Sequence, residues 1–176
     1  MAGTTSPTIK LVMDTIENAR NKLLANQQVR NAQWTDVILS DICKANPDRP
    51  KRNCCGRCKE AYGEWLFDLV WYKEHHNRQL IELRLVLESE WSHNKYDIKY
   101  DFEKLLIAKC DSKVMLTESP DAKQVVQEGI KSFSVNCSSE QYLLANHDGN
   151  GAFDFTVFDS RGNSLFNKTI PYQNGH

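Results

Sequence analysis

Between residues 64 and 91 the chain twice repeats a period-two pattern that a pair of neighbouring strands satisfies. Trp65, Phe67, Leu69 and Trp71 alternate with Glu64, Leu66, Asp68, Val70 and Tyr72, and the aromatic and branched content favours a strand. Residues 73–78 are polar and read as a turn. From residue 79 to 91 the alternation resumes, with Ile81, Leu83, Leu85 and Leu87 on one face and Arg84, Val86, Glu88 and Glu90 on the other. The spacing predicts a hairpin, with Trp65 and Trp71 as core aromatics on the face opposite the acids.

The rest of the chain supplies the covering layers. Ile9, Val12, Met13, Ile16, Leu23 and Leu24 recur at helical spacing, as do Trp34, Val37, Ile38 and Ile42, and Asn46-Pro47 stops the second helix because a residue before proline avoids the helical region. Ile98, Phe102, Leu105 and Leu106 mark a third helix under an acidic first turn that includes Asp101. Residues 113–117 read as a buried strand, and Ser119-Pro120 as a helix start with Val125, Val126 and Ile130 facing inward. The connection onward to residues 142–145 is expected to be parallel and right-handed. Asp148-Gly-Asn-Gly151 closes a hairpin, and Ser160-Arg-Gly-Asn163 turns into a last edge strand that ends before Pro171.

With 176 residues there is enough chain for one real core, and the expectation is a single domain over 1–176: N-terminal helices to residue 50, a central core over 60–145 and antiparallel strands over 146–176. The fold class is α/β, a mixed β-sheet flanked by helices. No apolar run exceeds four residues, which excludes a membrane-spanning stretch and an export signal, so a cytoplasmic protein is expected. The six cysteines then read as thiols rather than a disulfide framework. A formal charge of −1 gives no global field that announces nucleic acid. Residues 44–59 are locally basic, with six Lys and Arg against Asp48, and suit phosphate contacts or a solvated loop.

The chemistry concentrates where Asp68 faces Glu88-Ser-Glu90. Side chains two apart on a strand share a face, so Glu88 and Glu90 project together, Asp68 joins them if the register allows, and Glu64 is a fourth candidate. Two carboxylates about 5 Å apart repel by roughly 3 kcal/mol at an effective dielectric of about 20, so the cluster needs protons or a cation. Hard oxygen ligands without nearby His or Cys suit Mg²⁺ or Mn²⁺, with Asp68, Glu88, Glu90 and Glu64 as candidate metal ligands. Phosphodiester hydrolysis is the reaction such an ion serves. Against this stands the simpler reading of the alternating acids as a solvated sheet face.

These residues resemble the PD-(D/E)XK nuclease superfamily: Asp68 on one strand, Glu88-x-Glu90 on the next, and a following helix carrying Asp101-Phe-Glu-Lys104. The Gly-Glu-Trp-Leu-Phe-Asp-Leu-Val-Trp-Tyr and Glu-Ser-Glu-Trp stretches are also similar to those of uncharacterised bacterial proteins. The resemblance implies a restriction-endonuclease-like core over residues 60–145 and a Mg-dependent endonuclease acting on DNA, with Asp68, Glu88, Glu90 and Lys104 catalytic. Glu90 stands where the family carries lysine. Some restriction enzymes of the superfamily use Glu-x-Glu, and others move the lysine to the next helix, which makes Lys104 its counterpart. A catalytically inactive nuclease-like module, or an adaptor binding nucleic acid or protein and dimeric in one form, is the alternative. Cys43, Cys54, Cys55 and Cys58 offer four thiolates for zinc but lack a second paired Cys-x-x-Cys.

Overall fold

The computed structural model describes residues 4–25, 31–48, 53–55, 65–135 and 137–172. Seven strands form one sheet whose spatial order follows the chain: β1 (Asn53–Cys55), β2 (Leu69–Glu74), β3 (Leu80–Glu90), β4 (Ser112–Thr117), β5 (Gln141–His147), β6 (Phe153–Asp159) and β7 (Ser164–Ile170). The β3–β4 and β4–β5 pairs are parallel and the other four pairs antiparallel. Parallel neighbours need a crossover, and helices α3 (Lys95–Ile107) and α4 (Ala122–Ser132) provide one each. The expected class, α/β with a mixed sheet between helices, is what the chain forms.

Helices α1 (Pro7–Leu24) and α2 (Asn31–Ala45) cover the opposite face. Their buried row of Ile9, Val12, Ile16, Ile38, Leu39 and Ile42 packs with Leu69, Trp71, Leu85, Leu87, Val114, Leu116 and Leu143. Ile98, Phe102, Leu105, Val125, Val126 and Ile130 of α3 and α4 pack on Val70, Val86, Met115, Tyr142 and Leu144. Alternate residues of the central strands therefore feed two cores, and each fully buried aliphatic side chain contributes about 1.5–3 kcal/mol.

Local chemistry explains the boundaries. Ser6 caps α1 by accepting from the Ile9 amide at 3.2 Å, with Pro7 at the first position where its missing N–H costs nothing. The α2 helix ends at Ala45, before Asn46-Pro47, as the proline requires. Asn94 caps α3 by accepting from the Tyr96 amide at 3.0 Å. In the β5–β6 turn, Gly149 and Gly151 take φ of 80° and 103°, which L side chains disfavour, while Asp148 Oδ1 accepts from the amides of Asn150 and Ala152 at 2.8 Å each.

The N-terminal helix is fastened to the far half of the sheet. The buried Arg20 donates through Nε to the Gly151 carbonyl at 2.5 Å and through a terminal nitrogen to the Pro171 carbonyl at 2.6 Å. Lys168 meets Glu17 at 2.6 Å, and the Ser6 amide donates to Gln141 at 2.8 Å. Beneath the end of α3, the fully buried Lys113 ammonium lies 3.0 Å from Glu140, 3.2 Å from the Tyr142 hydroxyl and 3.3 Å from the Leu106 carbonyl.

Two sequence expectations need correction. The first hairpin strand begins at Leu69, not at residue 64, so Trp65 is not a core residue: it is 46% exposed and its ring lies 5.0 Å from that of Tyr72. The alternation of β3 also breaks. Trp71 pairs with Leu85 but Tyr72 with Leu83, which leaves Arg84 as an extra residue on β3 and swings Leu83 onto the α3 side. Among the described cysteines, Cys43, Cys55, Cys110 and Cys137 form no disulfide. Cys58 and the side chain of Cys54 lie outside the described residues, as do five of the six basic residues of the 44–59 segment.

Candidate active site

The β2–β3 register pairs Leu69 with Leu87, so Asp68, immediately before β2, comes level with the Glu88–Glu90 end of β3. Its Oδ2 accepts from the Ser89 amide at 2.8 Å and the Ser89 hydroxyl at 3.0 Å. Those two bonds fix the carboxylate beside the strand. Glu88 shares the face of Val86, toward α3, and its side chain is only 2% exposed.

Helix α3 brings the cation. Lys104 Nζ lies 2.8 Å from Glu88 Oε1 and 2.8 Å from Asp101 Oδ1, one helical turn earlier. Burial pushes the Glu88 carboxyl up to about 8; the Lys104 hydrogen bond works against this, and the Asp68 and Asp101 charges add to it. Burial works to lower Lys104, yet its bonds to Asp101 and Glu88 outweigh that and hold the ammonium above its ordinary range. The lysine is therefore a fixed positive charge, and Glu88 is the group whose proton is poised near neutrality.

Glu90 takes a different position from the one expected. Its Oε1 accepts from the Ser92 amide at 2.6 Å, and its carboxyl is raised first by burial, with that amide opposing and a shared hydrogen bond to Asp101 reinforcing. It belongs to the Asp101 side of the site rather than to the Asp68 and Glu88 pair. Glu64 lies outside the described residues.

Two participants were not anticipated. Asp101 reads in the sequence as an acid of the first turn of α3, but the helix starts at Lys95, so Asp101 sits in its second turn and faces the lysine three residues on. The i,i+3 spacing makes pairing of Lys104 with Asp101 the simpler expectation for that lysine, and the pair forms. Thr117 is the other: it pairs with Glu90 in the β3–β4 register, is fully buried, and its hydroxyl has no hydrogen-bond partner among the described residues. Met115, two residues before it, packs on the α3 and α4 side, which places Thr117 on the face of the acids.

The oxygen chemistry of Asp68 and Glu88 suits a hard cation rather than a soft one. The register brings Asp68 and Glu88 to the same end of the β2–β3 pair, and Mg²⁺ is usually held by one or two carboxylates with water and substrate oxygens completing its shell. Among the described residues no three His, Cys, Asp or Glu side chains gather in ligating geometry, so the four-carboxylate set expected from the sequence does not assemble among them, Glu64 lying outside the described residues. No protein-family profile matches the chain, and no curated protein matches it.

Proposed function

We propose that the protein is a metal-dependent nuclease that hydrolyses phosphodiester bonds of DNA, built on a restriction-endonuclease-like core. The observation that carries this reading is the buried Glu88 carboxyl beside Asp68, held 2.8 Å from a lysine that the next helix supplies. A carboxyl buried to this degree and kept near neutral pH is a common mark of a working site.

In this reading Asp68 and Glu88 would hold Mg²⁺ or Mn²⁺, which when bound would supply charge stabilisation at phosphoryl oxygens and a more acidic water. Ser89 keeps Asp68 aimed, and Asp101 keeps Lys104 extended toward Glu88. Because Lys104 stays protonated, it acts by donating a hydrogen bond and stabilising negative charge rather than by taking a proton. Glu90 and Thr117 border the same face. The cytoplasm is the compartment this reading assigns, and no described helix is long and apolar enough to cross a membrane.

A catalytically inactive nuclease-like module is the second reading, favoured by Lys104 already engaging Glu88 and Asp101 at 2.8 Å each. The two separate on incubation with plasmid, single-stranded and structured DNA in Mg²⁺ or Mn²⁺, beside Glu88→Ala and Lys104→Ala. Metal-dependent cleavage lost in both variants is the expected result. Metal-dependent DNA binding without cleavage selects the inactive module, and cleavage equal in Glu88→Ala overturns the assignment of the site.

A further inference from the structure

The outer face of α3 carries aromatic surface that its packing does not use. Tyr96 is 81% and Tyr100 69% exposed, while Ile98 and Phe102 of the same helix are buried. Exposed helix positions are served best by strong helix formers, and two solvent-facing phenol rings return little stability there.

Their placement is more telling than their exposure. Four residues apart, the rings stand about 6 Å apart along the axis on one side of the helix. Lys104 continues the row: its Nζ lies 6.0 Å from the centre of the Tyr100 ring and 2.8 Å from Glu88. The row thus runs from solvent directly into the candidate site. Lys95 and Lys99 form a second row, and together with Tyr96 they line a groove of about 780 Å³ between α3 and α4.

The groove also carries two acids, Glu103 of α3 and Glu128 of α4, the second accepting from Gln124 at 2.7 Å. Asp97 accepts from the Ser92 hydroxyl at 2.9 Å and Asp101 is held by Lys104, both on the site side. Glu103 lies 3.7 Å from Lys99, an exposed pair of small worth that an incoming phosphate can displace.

Building on the nuclease reading, we propose that Tyr96 and Tyr100 are a stacking platform for unpaired bases, with Lys95 and Lys99 on the phosphates, and that the substrate class is single-stranded DNA. Aromatic rings stack on any base face, but a duplex keeps those faces covered, so the platform discriminates by strandedness and not by sequence. Alternating rings and ammonium groups beside a phosphodiester site match the polymer's own alternation of base and charge.

The test measures binding without catalysis, so it does not depend on the hydrolase reading. A labelled oligonucleotide, single-stranded or as a blunt duplex of the same sequence, is titrated with the full chain in EDTA and followed by fluorescence anisotropy. Single strands should bind at least about tenfold tighter than duplex. Tyr96→Ala with Tyr100→Ala should lose about tenfold in single-strand affinity, whereas Tyr96→Phe with Tyr100→Phe should retain it. Circular dichroism of each variant establishes that the helix is intact. Equal affinity for the two forms, or an unchanged affinity in the folded alanine variant, overturns the proposal. The expected preference together with absent cleavage in Mg²⁺ leaves the platform standing and removes the hydrolase reading; cleavage without the preference does the reverse.

Discussion

Lys104 and Glu88 meet at 2.8 Å across the boundary between helix and sheet, one held as an ammonium and the other raised toward the neutral acid. The asymmetry has a plain cause. Asp101 shares the same ammonium at 2.8 Å, so one positive charge serves two carboxylates, and the burial of Glu88 raises its carboxyl toward the neutral acid.

Lys104→Met removes the shared charge and should destabilise the fold by about 2–4 kcal/mol in urea unfolding, since it strands acids in a partly buried place. Adding Glu88→Leu should recover part of that loss, because replacing both partners with apolar groups avoids the orphaned carboxylate. A double variant less stable than the sum of the single losses contradicts the pairing.

The pH dependence follows from the same carboxyl. With a folded-state pKa of about 8 against an ordinary 4.5, Glu88 binds its proton more tightly in the native state. Its stabilising contribution is fully present below about 4.5, falls by at most about 1.4 kcal/mol per pH unit, and is gone above about 8. Glu88→Gln mimics the protonated form without titrating. The melting temperature of wild type minus that of Glu88→Gln should therefore decline from pH 5 to pH 8 and then level off; a rise over that range contradicts the shift.

Divalent cations should reverse part of this. Millimolar Mg²⁺ or Mn²⁺ at pH 7.5 should raise the melting temperature of the wild type through binding to the native state alone, and much less that of Asp68→Ala or Glu88→Ala. An equal rise in all three places the ion elsewhere.

Lys113 provides a structural control away from the site. Glu140→Leu leaves a fully buried ammonium with the Tyr142 hydroxyl and the Leu106 carbonyl but no countercharge, and should cost about 3–5 kcal/mol. Tyr142→Phe removes one hydroxyl and should cost about 1 kcal/mol. Thermal unfolding of the two variants checks the order.

The sequence carried the fold well where periodicity and turn chemistry agreed. Both hairpins of the C-terminal strands, the parallel pair across α4 and the inner faces of α3 and α4 follow from apolar spacing and from glycine and proline placement. It carried the site in part. Lys104 meets Glu88, and Asp68 bonds to Ser89 at the same end of the hairpin, whereas Glu90 turns to Ser92 and Asp101. What stayed hidden depends on three-dimensional facts that no period encodes. The extra residue at Arg84 moves Leu83 to the other face, the late start of β2 leaves Trp65 outside the core, and the position of Asp101 depends on where α3 begins.

The fastening of α1 to Gly151, Pro171 and Lys168 sets an order of events for a chain made from its N-terminus. Helix α1 emerges before the residues that anchor it and acquires its final anchors only when residue 171 has emerged, so Arg20 waits in water while the sheet is laid down strand by strand. Nascent chains halted near residue 150 should leave that helix open to protease, and extension past residue 171 should close it.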